Sequence, residues 1–169
     1  MSPRLEGHGV VLRALEVADA QALFAAHGDA ATHKYWSGPA HKSVEETAAY
    51  IKETLDIPGA QVWAITENGG EACGRIALFV LREGVGEIGV IMRPDAAGRG
   101  LASAALNLVV AYGFEKLGLH RVAADVDPDN DASLNLFLRN GFEREGLLRG
   151  NWKTHIGVRD TVMLAKLRD

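Results

Sequence analysis

Apolar and other side chains alternate, or nearly so, in Gly9–Leu15 and Gln61–Thr66, and Cys73–Leu81 is an apolar run, patterns that predict three strands. Asn68-Gly69-Gly70 marks a hairpin turn between the second and third, and Gly84-Val85-Gly86 a turn before a fourth apolar run, Glu87 to Met92. Elsewhere the period lengthens. Asp19 precedes an alanine-rich helical run ending at Gly28, and Ser43 with Glu46 forms a capping-box pair ahead of Val44, Thr47, Ala48, Ile51 and Leu55 at helical spacing, closed by Pro58-Gly59. Leu101, Ala105, Leu108, Val109, Tyr112 and the segment Phe114–Leu117 predict a third helix that Gly118 ends. Arg121–Val126 then reads as a strand, Leu134 to Leu138 as part of a short helix closed by Asn140-Gly141, and Phe142–Leu148 and Asp160–Leu167 as two last strands separated by Arg149–Arg159. Thr32–Lys42 shows no period and reads as a loop, with Tyr35 and Trp36 as aromatics that either line a site or cover the core.

The stretch between the fourth strand and the third helix carries the first chemical signal. Gly98 and Gly100 permit close approach of a ligand to the backbone, and the free N–H groups of a first helical turn present positive partial charge to an anion. This predicts a phosphate-binding turn. A P-loop is excluded, because Leu101 and Ala102 stand where it needs Lys followed by Ser or Thr. A dinucleotide fingerprint is closer: Gly98, Gly100 and Ser103 occupy its positions, and Asp125 ends a later strand about 20 residues on. Against it, five residues separate strand from Gly98, and the chain past Asp125 has room for one helix and two strands only.

Composition narrows the class. A chain of 169 residues, 47% hydrophobic and 24% charged with the charges evenly mixed, fits a single globular domain over residues 1–169. The formal charge of −4 speaks against a nucleic-acid platform and suits basic or amine partners. No run approaches the ~18 apolar residues of a membrane span, and the first residues lack a signal-peptide core, so a cytoplasmic protein is expected. The one cysteine, Cys73, excludes an internal disulfide and reads as a small packed hydrophobe. His8, His27, His33, His41, His120 and His155 show no pair at ligand spacing with an acidic or sulfur partner, so no metal is expected.

Gly98-Arg99-Gly100-Leu101-Ala102, then Tyr112-Gly113-Phe114-Glu115-Lys116-Leu117-Gly118-Leu119-His120-Arg121-Val122, then Asn130-Asp131-Ala132-Ser133 through Asn140-Gly141-Phe142, occur in a fixed order. In these segments the chain resembles the GNAT superfamily of acyl-CoA-dependent N-acetyltransferases, in particular the branch of ribosomal-protein N-terminal acetyltransferases. The resemblance implies an α/β fold: a mixed, mostly antiparallel sheet splayed between its fourth and fifth strands, with helices on both faces. It implies acetyl-CoA, its pantetheine arm in the fork against Val90, Ile91 and Met92, and its pyrophosphate on Gly98, Arg99, Gly100, Leu101, Ala102 and Ser103. Unpaired strand groups at such a fork suit an extended amide-bearing arm. Gly89 fits a bulge that would aim an N–H into the cleft. Ala97 departs from the Gln or Arg usual in the family, a change that backbone contacts should survive.

For acetyl transfer the resemblance points to Glu87 as the base, directly or through a water; the other reading is a solvated strand-end carboxylate. Phe137 stands where many relatives carry a proton-donating tyrosine, which leaves Ser133 as the candidate acid, or as a helix cap. Asn130 and Phe137 would border the cofactor, Asn130 as a contact or a cap. Tyr35, Trp36 and Trp152 would flank an amine acceptor, a protein N-terminus or small molecule, or else pack a lid or a homodimer contact. Phe137 also keeps open a second class, a non-catalytic acyl-CoA-binding module or sensor.

Overall fold

In the strand Ala60–Thr66 (β3), Trp63 and Ile65 turn to one face and Val62 and Ala64 to the other, and all four are buried. A strand with two dry faces must be covered from both sides. The computed structural model, which describes residues 1–169, shows what covers them. On one face α3 (Leu101–Glu115) and α4 (Asp131–Arg139) set Ala105, Leu106, Val109 and Phe137 in the cluster of Trp63, Ile65, Ile76 and Leu78. On the other, α1 (Ala20–His27) and α2 (Val44–Leu55) bring Leu23 and Ile51 to Val62, Ala64 and Ala77. Ser43 caps α2 as the sequence predicts, accepting from the Glu46 N–H at 3.2 Å. No helix is long and apolar enough to cross a membrane.

The remaining strands are β1 (Leu5–Gly7), β2 (Val10–Ala14), β4 (Gly74–Arg82), β5 (Val85–Met92), β6 (Arg121–Val126), β7 (Glu143–Thr154) and β8 (Gly157–Leu167). They lie in the order β1-β2-β3-β4-β5-β6-β8-β7, antiparallel throughout except for β5 against β6. That parallel pair holds only from Val85–Glu87 to Arg121–Ala123. Beyond it β5 stays paired with β4 as far as Met92 and β6 stays paired with β8 as far as Val126, so the sheet forks. One parallel pair beside antiparallel neighbours is not a doubly wound sheet, which removes the context a dinucleotide fingerprint requires.

Several boundaries differ from the sequence reading. β1, three residues long, is too short for periodicity to register. Arg149–Arg159 does not separate the last strands: β7 runs on to Thr154 and turns at His155-Ile156, and its polar composition follows from exposure of nearly the whole strand. Gly86 lies within β5 rather than in a turn, and packing explains the glycine: a Cβ there would stand 2.9 Å from Leu119 and from Leu78. Gly89 makes no bulge toward β4, since it pairs in register with Ala77; the irregularity falls between Val80 and Arg82. Cys73 is only partly buried, against the α3 side of the core.

Histidines at the end of α1 and in the loop that follows it meet against β4. Ligand-capable ring atoms of His27, His33 and His41 lie within 4.8 Å of one another, a grouping that the spacing of 27, 33 and 41 does not disclose. His27 stacks on His41 at 4.9 Å and His33 on Trp36 at 5.6 Å. Arg75 Nε donates to His27 Nε2 at 3.3 Å, which leaves the His27 proton on Nδ1, and the guanidinium opposes any added positive charge. His33 Nδ1 faces the Gly38 carbonyl at 3.2 Å and His41 Nδ1 faces the Thr47 hydroxyl at 2.9 Å. Burial, with help from Arg75 and the neighbouring rings, pushes His27 down to about 2 and His33 to about 4.

Both rings are neutral in the folded chain and gain a proton near pH 6.5 once unfolded, so their contribution is complete above that pH and is lost as pH falls toward 4 and below. For His33 alone the loss reaches about 3 kcal/mol. Calorimetric melts between pH 7.5 and 4 should show the Tm of the wild type falling more steeply than that of His33→Asn; parallel curves would remove His33 as a source of the acid sensitivity.

Candidate functional site

Between β5 and α3 the chain makes one tight turn, Pro94–Ala96, and reaches the helix through Gly98 and Gly100, whose φ values of 73° and 78° favour glycine. Gly100 occupies the helix N-cap and offers no side chain to it. The N–H groups from Gly98 to Ser103 donate to no acceptor within the protein, and the first bond of the helix runs from Ala104 N to the Gly100 carbonyl at 3.0 Å. A Cβ on Gly98 or on Gly100 would meet nothing within 4 Å. A row of free amides at the positive end of a 15-residue helix thus faces open space.

Side chains of this turn are largely engaged elsewhere. Arg99 pairs with Glu67 at 2.8 Å and its side chain does not border the cleft, which leaves its main-chain N–H, the group expected to meet a diphosphate. The Ser103 hydroxyl donates to Asn140 Oδ1 at 2.8 Å, so only its main chain remains available. From the turn a cleft of about 740 Å³ follows Val90, Ile91 and Met92 along the fork to Asn130 and Ser133. Asn130 is the cap of α4: its Oδ1 accepts from the Ser133 N–H at 3.2 Å. Ser133 is therefore capped and does not itself cap, and its hydroxyl has no partner in the protein.

A second, smaller chamber of about 320 Å³ opens on the other side of the fork and shares Tyr35, Trp36, Val90, Asn130 and Ser133 with the cleft. Phe137 borders this chamber and not the cleft; it is 2% exposed and packs edge-on against Phe142 at 5.0 Å. Trp152 is here too, its indole N–H donating to Asp125 Oδ2 at 2.6 Å. The Tyr35 hydroxyl donates to the Asp129 carbonyl at 3.0 Å and so ties the aromatic loop to the segment between β6 and α4.

The chamber is acidic. Glu87, Asp125, Asp127 and Asp160 border it against one cation, Arg159. Arg159 is committed to Asp127 at 2.8 Å and to Asp129 at 2.5 Å, and holds Asp127 below the usual carboxylate range. Asp125 accepts a further bond from Thr161 at 3.1 Å, and Asp160 accepts one from the Gly150 N–H at 2.7 Å. Glu87 has no hydrogen-bond partner in the protein; burial first and the charge of Asp125 second raise its pKa. Phe79 is its cross-strand partner on β4, and Gly89, with nothing near its absent Cβ, leaves the floor beside it open.

Sequence reasoning missed Tyr50, Asp127, Asp160 and Arg159 as lining residues, and it weighed Asp125 only within the dinucleotide fingerprint. The run Asp125 to Asp131, with acids at alternate positions, was the available signal.

Comparison with known proteins follows this geometry. The acetyltransferase (GNAT) domain family matches residues 10–143. An uncharacterized N-acetyltransferase of Bacillus subtilis, YoaA, is 33% identical over 155 residues, covering 88% of each chain. The spermidine N(1)-acetyltransferase of Escherichia coli is 30% identical over 144 residues, 83% of this chain and 76% of that one. Among solved structures, a GNAT-family acetyltransferase from Bacillus anthracis shares the fold with a TM-score of 0.88 at 23% identity, over 98% of both chains. Since the matched residues run from β2 through the forked sheet, the glycine turn and α4 to the start of β7, the chain belongs to the GNAT family of acetyltransferases.

Proposed function

We propose that the protein moves an acetyl group from acetyl-CoA to a primary amine, with donor and acceptor bound together. The observation that carries this reading is the junction of the two cavities, where the amide-lined cleft and the acidic chamber share Val90 and Ser133 beside Glu87. Free amides from Gly98 to Ser103 suit a diphosphate, and the open edge of β5 suits an extended amide-bearing arm. Bound there, acetyl-CoA supplies a thioester carbonyl that the amine nitrogen attacks as the carbon–sulfur bond breaks.

The chain's own residues handle charge and protons. Asp125, Asp127 and Asp160 draw the acceptor in as an ammonium ion, and Glu87 takes its proton directly or through a water. A pKa raised by burial makes Glu87 a stronger base than an exposed glutamate and brings it closer to the range in which an ammonium gives up its proton. Ser133, with an uncommitted hydroxyl on both cavities, relays to the departing sulfur the second proton that the nitrogen loses as the amide forms. Trp36, Tyr35 and Trp152 hold the body of the acceptor against aromatic faces. The acceptor in this reading is a small amine or a protein N-terminus; spermidine acetyltransferases among the relatives support the former.

Two measurements test this reading. Glu87→Gln should lower kcat by roughly 10²–10⁴-fold and abolish the rise of kcat/KM with pH, which in the wild type has its midpoint above the ordinary carboxylate value of 4.5. Full activity in the variant would reject Glu87 as the base. Gly100→Val forces a β-branched residue to φ 78° and projects a side chain over the amides, so CoA affinity measured by calorimetry should drop at least tenfold. Intact CoA binding with no thiol release from any amine would identify an acyl-CoA-binding module, the reading that Phe137 favours.

A further inference from the structure

One wall of the acidic chamber has the opposite character. Tyr50, on α2, borders the chamber beside Phe79, and its phenolic oxygen accepts a hydrogen bond from Arg75 Nη2 at 2.7 Å. Arg75 is 3% exposed on β4 and has no carboxylate partner. Its surroundings are His27, a neutral ring, and the faces of Trp36 and Tyr50 at 5.2 and 5.0 Å. A buried guanidinium balanced only by neutral dipoles projects its charge through the nearest polar contact. That contact is the Tyr50 oxygen. Because a lone pair of this oxygen is turned to Arg75, its proton points elsewhere, and no acceptor in the protein receives it.

The chamber is therefore bipolar. Arg75, Ala77 and Phe79 lie on one face of β4, and Phe79 pairs with Glu87, so the cationic wall stands apart from the acids on the same side of the sheet. We propose that Tyr50, backed by Arg75, is a specificity-determining residue that binds an oxygen acceptor, carboxylate or carbonyl, on the amine substrate. The chamber then selects amines bearing such an oxygen over diamines and polyamines, whose second ammonium would meet the wrong charge. This selectivity rests on the acetyl-transfer reading, in which the acids receive the reacting amine.

The test compares matched acceptors: β-alanine, β-alaninamide and 1,3-diaminopropane, together with 5-aminopentanoate, its amide and 1,5-diaminopentane. In at least one set, kcat/KM for the carboxylate or the amide should exceed that for the diamine by tenfold or more. Tyr50→Phe keeps the ring and loses the hydroxyl; it should erase that preference through KM, with kcat and CoA affinity within twofold of wild type and the diamine unaffected. A carboxylate preferred over its amide assigns the selectivity to the Arg75 charge, and equal use of the two assigns it to the Tyr50 hydrogen bond. Preference for diamines, or equal losses on all members in Tyr50→Phe, overturns the proposal. If no amine is acetylated, the acetyl-transfer reading fails. The same tenfold ratio, and its loss in Tyr50→Phe, must then appear in calorimetric binding of these amines to the CoA-bound protein.

Discussion

Three residue pairs of parallel ladder join β5 to β6, and then the two strands separate while each keeps its outer neighbour. Strands that part expose backbone donors and acceptors, which a folded chain rarely leaves buried and unpaired. The cleft and the chamber both open at this fork, and the elements around it are placed by it. α3 crosses from the end of β5 to the start of β6, which puts its unbonded first turn at the mouth, and α4 follows β6 to close the far side. Glu87 is the last β5 residue in the parallel ladder, which sets its carboxylate at the point where the sheet opens.

Electrostatics divides the space that the fork creates. Helix-end amides favour an anion in the cleft, while carboxylates with a single committed arginine favour a cation in the chamber. Tyr50 and Arg75 add a small region of reversed sign on the wall facing α2. Trp36 belongs to both regions: one face lies against His33, Arg75 is nearby, and the residue borders both cavities. The packing of α1 and α2 and the polarity of the chamber are thus parts of one arrangement.

What was legible in the sequence follows from range. The apolar run Val62, Trp63, Ala64 and Ile65 marks a strand because neighbours on one element decide it, and the glycine turn is legible because Gly98 and Gly100 meet a local backbone demand. β7 carries no alternation past Leu148 because neither of its faces is dry there, and Gly86 reads as a turn until Leu78 and Leu119 are seen to leave no room for a side chain. The histidine group, Arg75 and Tyr50 come from α1, a loop, α2 and β4, and no periodicity within one element links them. Arg99 was placed by analogy with a motif; the orientation of its side chain depends on Glu67, a partner that the motif does not contain.

The glycine turn has a consequence for how this chain tolerates change. Arg93 is tied to Glu71 and Asp95, Arg99 to Glu67 and Ser103 to Asn140, so the uncommitted donors of the turn are those of the main chain. Every residue type except proline offers the same N–H. A change of side chain at position 97 therefore leaves those donors in place, whereas the two glycines have dihedral angles that few other residues adopt. The durable part of this site is a backbone shape, written in two letters of the sequence.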